Sequence, residues 1–190
     1  MTRLLLAASA SALLLAACGD NDANQNPVDA VQDAASAPVG QTSAATMGAN
    51  SVEAYVANAA MADMYEIQAA EIALERTQNA QIRELAQMIV TDHTQASQRM
   101  QQLAPQAAEG VQIPTELDQR RQGLIDNLRS ASAQAFDGVY IDQQVAAHQE
   151  AVTLHEGFSD NTDAPQLAEH ARTVLPKIQA HLQQAQALDE

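Results

Sequence analysis

From Val52 onward, apolar residues recur at intervals of three and four with polar residues between them. That period belongs to amphipathic helices, and no stretch alternates long enough to argue for a strand. The first predicted helix, about Val52 to Arg76, carries Val52, Val56, Ala59, Ala60, Met64, Ile67, Ala70 and Leu74 on one side. Asn79, a good N-cap residue, opens a second helix with Ile82, Leu85, Ala86, Ile89, Val90, His93, Ala96, Met100 and Leu103 inward, closed by Pro105 and the loop after it. A capping box at Thr115-Glu116-Leu117-Asp118 starts a short helix with Leu117, Leu124, Ile125 and Leu128 inward. The fourth helix, about Ala133 to Phe158, uses Phe136, Val139, Tyr140, Val145, His148, Val152 and His155. A fifth begins near Asn161 to Asp163 and uses Leu167, Ala171, Val174, Leu175, Ile178, His181, Leu182, Ala185 and Leu188. Pro176 inside it removes one hydrogen bond and predicts a kink before His181. Four long amphipathic helices and one short one predict an all-α four-helix bundle, the short helix lying along the connection between the second and fourth.

The period is absent before residue 51. Residues 1–17 read as a leader, with Arg3 followed by an apolar run from Leu4 to Leu15 that is too short to span a bilayer. Leu15-Ala16-Ala17-Cys18 resembles the lipobox of bacterial lipoproteins, which implies cleavage before Cys18 and lipidation of the only cysteine in the chain. Several acyl chains anchor stably where one is marginal. Gly19 rather than an aspartate follows the cysteine, which favours the outer membrane over the inner. Residues 18–50 are small and polar with two prolines, a tether whose 32 residues after Cys18 span roughly 30 Å. Residues 51–190 form the single domain.

Of the 24 acids and 9 basic residues, 20 and 8 lie from residue 51 onward. An acidic domain without basic patches is no nucleic-acid binder, and the membrane is reached through the lipid alone. Phosphate, dinucleotide and calcium loops are missing, as is a nucleophile elbow. No Glu-x-x-His or Asp-x-x-His occurs, which argues against a di-iron oxidase.

The candidate chemistry lies in the histidines. His93, His148 and His181 each fall in line with the apolar stripe of a different helix. Three imidazoles with a carboxylate, Glu66 or Glu71, suit zinc or another first-row divalent ion such as iron or manganese. Helical spacing turns Glu71 inward, between Ile67 and Leu74. Copper would draw on Met61, Met64, Met88 and Met100, although methionine at this spacing ordinarily fills core. The competing reading keeps the imidazoles metal-free, as a hydrogen-bonded knot that fixes helix register. Asp92 and Asp142 are acids that would orient the imidazoles or else sit solvated on the surface. His155 and His170 are expected to be partly exposed.

The ordered segments "MYEIQAAEIALE", "AQIRELAQMIVTDHTQA", "IPTEL", "FDGVYIDQQVAAHQEAVTLH" and "LPKIQAHLQQAQAL" are similar to those of the domain of unknown function family 4142. The resemblance implies a ferritin-like bundle in an outer-membrane or periplasmic protein. It matches the family's histidines to His93, His148 and His181, and its first-helix acid to Glu66. His155 departs from it, since the family more often has an apolar residue there. The family implies no activity. The sequence therefore favours a non-catalytic binding or structural module of the envelope, with a metal-binding or redox and stress role as the alternative. Replacing Cys18 with alanine should leave the protein unanchored or its leader unprocessed, as read by a Triton X-114 partition and by mass. Wild-type protein recovered in the aqueous phase without acyl mass on Cys18 would refute the anchor.

Overall fold

The computed structural model describes residues 51–107 and 109–189; the leader, the lipobox cysteine and the tether lie outside the described residues. Local chemistry starts each helix. Helix α1 (Val52–Arg76) begins after Ser51, whose Oγ accepts the Ala54 N–H at 3.1 Å. Helix α2 (Ala80–Ala107) follows Asn79, whose Oδ1 accepts the Gln81 N–H at 2.9 Å. Pro105 does not stop α2, which runs two residues further. Helix α3 (Gln119–Ser130) starts later than the capping box predicts: Asp118 is itself the N-cap and accepts the Arg121 N–H at 2.8 Å, while Thr115 lies before the helix. Helix α4 (Phe136–Phe158) begins three residues later than expected, and α5 (Pro165–Leu188) opens on a proline, whose missing N–H costs nothing there. Pro176 lies on the exposed face of α5, and the helix continues through it.

The bundle is two helical hairpins, α1/α2 and α4/α5, packed so that α2 lies beside α5 and α1 beside α4. Tyr55, Met100, Leu103, Leu154, Phe158 and Leu167 form one cluster. Ala73, Ile82, Leu85, Phe136, Tyr140 and Ala185 belong to another, towards the opposite end. The chain therefore leaves α2 at the Tyr55 end and re-enters α4 at the Phe136 end, so the link carrying α3 runs the length of the bundle. Two hairpins joined by one long crossover is the ferritin-like arrangement. Gly110, at φ +83°, turns the chain into that crossover. Among the described residues no helix is long and apolar enough to cross a membrane.

The inward face of α1 matches the expected one at Val56, Ala59, Ala60 and Ala70 and departs from it elsewhere. Tyr55, Ala59, Asp63, Glu66, Ala69, Ala70 and Ala73 are buried, whereas Val52, Met64, Ile67 and Leu74 are only half-buried. Small side chains let neighbouring helices approach closely, and the larger apolar ones pack along the rim. The expected inward faces of α2 and α5 hold at Ile82, Leu85, Ile89, His93, Leu167, Ile178 and His181.

Side chains clasp the crossover to the bundle. Arg76 donates to the carbonyls of Leu128, Arg129 (3.2 Å) and Ala131 (2.6 Å), and its guanidinium lies 4.3 Å from the Phe136 ring centroid. Arg120 forms a bidentate pair with Glu150 of α4 at 3.0 and 2.8 Å. Arg76→Ala should destabilise the fold by about 1–3 kcal/mol, because carbonyls at the end of α3 lose their donor. Arg76→Lys should restore only part, since one ammonium cannot reproduce the planar fork. Urea unfolding of the three proteins checks this, and full recovery by lysine would contradict it.

Candidate metal centre

Four helices meet at mid-bundle with polar side chains facing inward. Helical spacing puts Asp63 and Glu66, three apart, on one side of α1. His93 comes from α2, His148 from α4 and His181 from α5, exposing 3, 0 and 2 % of their surface. Their ring centroids lie 5.7, 5.7 and 5.4 Å apart, and one nitrogen of each lies within 4.8 Å of the others.

The outer nitrogen of each ring is already committed. His93 Nδ1–H donates to Asp63 Oδ1 at 2.8 Å. His148 Nδ1–H donates to the Gln144 carbonyl at 2.9 Å, with Glu66 Oε1 3.5 Å from the same nitrogen. His181 Nε2–H donates to Asp92 Oδ2 at 3.2 Å. A carbonyl or carboxylate only accepts, so these bonds fix the tautomers and leave lone pairs on His148 Nε2 and His181 Nδ1. Those two atoms face each other at 3.4 Å. His93 Nε2 is buried with no hydrogen-bond partner, and so is Glu66 Oε2.

Electrostatics keep the facing pair unprotonated. Burial, reinforced by the other imidazoles, drives His148 well below its ordinary value and His181 down to about 4. Burial also acts against a charged His93, but the hydrogen-bonded Asp63 carboxylate overcomes it and raises the group. Burial pushes Glu66 up to about 7, against the opposing charge of His93. Burial would raise Asp92 as well, but Lys177, at 2.7 Å, holds it below the usual carboxylate range.

The model of the family described as Domain of unknown function (DUF4142) matches residues 37–188. The chain belongs to the DUF4142 family. No curated protein and no solved structure matches the chain.

Against this geometry, the sequence expectation for the DUF4142 domain divides. His93, His148 and His181 do converge. Glu66, the acid to which the family resemblance pointed, is buried beside them, but behind His148 on its Nδ1 side rather than among the converging nitrogens. Glu71 is a correction: it is exposed, because α1 turns its alanine face inward rather than the Ile67–Leu74 face. Asp92 orients His181 as envisaged, whereas Asp142 is exposed. His155 and His170 are a second correction, since both are buried, at 4 and 5 %. His155 stands seven residues beyond His148 on the same side of α4, and its Nδ1 lies 3.0 Å from Tyr55 Oη. Asp63 and the Gln144 carbonyl were missed. The sequence signal for Asp63 was an acid spaced three and four from Ala60, Ala59 and Glu66.

A narrow cleft between α2 and α5 reaches this centre, lined by His93, His181, Asp63, Asp92, His155 and Lys177 with small apolar residues between them. Its enclosed space is about that needed by a single water-sized group.

Burial lowers His155 to about 3, with His170 contributing. Because this folded value lies below that of the unfolded chain, near ~6.5, the unfolded state protonates first as pH falls. His155 thus contributes stability above pH ~6.5 that is lost on acidification towards pH ~3, by at most ~1.4 kcal/mol per unit. The stability of wild type relative to His155→Phe should decline over that window in urea titrations at successive pH values. Parallel pH profiles would show that His155 titrates normally.

Proposed function

We propose that this chain is a metal-binding module of the bacterial cell envelope, carried on a lipidated Cys18 and holding one first-row divalent ion on His93, His148 and His181. The observation that carries the reading is the facing pair. Two buried, unprotonated acceptors at 3.4 Å repel each other unless a cation lies between them. Two nitrogens bound tetrahedrally at ~2.0–2.1 Å stand ~3.3–3.4 Å apart, so the separation suits an ion. A proton on His93 does not relieve the pair directly, since its Nε2 has no partner within hydrogen-bond reach.

The backing groups support the same reading. Each imidazole donates its outer N–H to a carbonyl or carboxylate, which orients the ring and makes the inner nitrogen a stronger ligand. Asp63, Glu66 and Asp92 supply negative charge beside the rings, which offsets a divalent ion. Three imidazole donors favour zinc, iron(II) or copper(II) over harder ions. Three ligands from three helices also leave such an ion a further coordination position.

The test is elemental analysis of full-length protein purified without chelator or affinity tag, followed by thermal melts with added ions. An ion that binds only the folded state stabilises it by ~2.7 kcal/mol at a hundredfold excess over Kd. Zinc, iron(II) or copper(II) should raise the Tm of wild type and leave the triple alanine variant of His93, His148 and His181 unchanged. A metal-free preparation whose Tm no ion raises would reduce the histidines to a structural knot.

A further inference from the structure

The cleft between α2 and α5 shares His93 and His181 with the proposed ion site, and the Tyr55–His155 pair beside it is left unused. Tyr55 is buried in α1, stacked on Phe158 with ring centroids 3.8 Å apart, and its Oη lies 3.0 Å from His155 Nδ1. Burial raises the Tyr55 hydroxyl, so it keeps its proton and donates. His155 is neutral near pH 7 and accepts at Nδ1, so its one proton sits on Nε2. His155 also lines the cleft that reaches His93 and His181. What it has to offer a group in that cleft is an N–H donor.

The remaining lining is of two kinds. Ala96, Val174 and Ile178 make small apolar walls. The acids are already engaged: Asp63 accepts from His93, and Asp92 accepts from both His181 and Lys177. Lys177 adds a cation at the lining. Lys177 is itself paired with Asp92 and Gln95, so what favours an anion is the ion held by the imidazoles together with the His155 N–H. The enclosed space takes about one water-sized group, so a longer ion must be slender and reach out through the mouth of the cleft.

We infer that the α2–α5 cleft is a port for one small anion, such as hydroxide or a slender oxygen- or nitrogen-ended ion, which binds the metal and accepts a hydrogen bond from His155. This rests on the metal reading above. The proposal gives the Nε2–H of His155 a ligand to bind in this chain.

The test uses the full-length chain in detergent, loaded with cobalt(II), whose visible band reports its ligands. Azide should shift the band saturably, while benzoate, too wide for the cleft, should not; this size series needs no variant. Ala96→Leu should narrow the cleft and abolish the azide response. His155→Phe should weaken azide about tenfold or more by removing a hydrogen bond to a charged group. Both variants should retain wild-type cobalt affinity within about threefold, because neither residue touches the three nitrogens. Cobalt that binds without any azide response overturns the port alone, as does benzoate acting like azide or both variants responding like wild type. Cobalt that fails to bind wild type overturns the metal reading and the port with it.

Discussion

A buried imidazole has two nitrogens to satisfy, and satisfying one of them restricts where the ring can point. In this bundle that restriction acts on three helices at once. Asp63 of α1 holds His93 of α2, the Gln144 carbonyl holds His148 within α4, and Asp92 of α2 holds His181 of α5. Sliding α1 or α5 by a turn against α2 would separate His93 from Asp63 or His181 from Asp92 and orphan a buried imidazole N–H, at a cost of ~1–3 kcal/mol. Apolar packing among alanines is far less selective, since one methyl resembles the next. The polar centre therefore sets the register, and the alanine faces of α1 allow the helices to approach closely enough for it to form.

The sequence made some of this legible and concealed the rest. Five helices could be read from their apolar periods, with Asn79 capping α2 as its side chain suggests, whereas α3 is capped by Asp118 and not by Thr115. The three converging histidines could be read because each continues an apolar stripe. The error in α1 has a physical cause. Hydrophobicity ranks Ile67 and Leu74 above Ala69 and Ala73, but close packing selects by volume as well. Val56, Ala59, Ala60 and Ala70 face inward as the period predicts, but Ile67 and Leu74 stay at the rim, Glu71 is exposed and Asp63 is buried. His155 and His170 were misjudged because a ring's burial depends on a partner from a distant helix, here Tyr55 a hundred residues away for His155. Backbone acceptors such as the Gln144 carbonyl carry no sequence signature at all.

Charge is arranged by depth. The overall acidity of the chain resides largely on solvated faces, while the interior uses acids sparingly and in contact with donors. Glu150 is nearly buried yet bidentately paired with Arg120, and Asp63 meets His93. Glu66 is the exception, with one carboxylate oxygen lacking a partner. His93 Nε2, Tyr140 Oη and the Gln144 side-chain amide are likewise buried without a partner among the described residues, so unfulfilled bonding capacity is shared by several polar groups of the core.

The division of the nitrogens between the two hairpins has a consequence for folding. The α1/α2 and α4/α5 hairpins are local in sequence and joined by tight turns, so each can form quickly on its own. The first contributes one inner nitrogen and the second contributes two. Neither hairpin alone is a tridentate chelator, and the full denticity arises only when the long crossover has brought them together. Under the proposed metal reading, three-nitrogen coordination would thereby be reserved for the completed tertiary structure, and a half-folded chain would offer an ion two of these nitrogens at most.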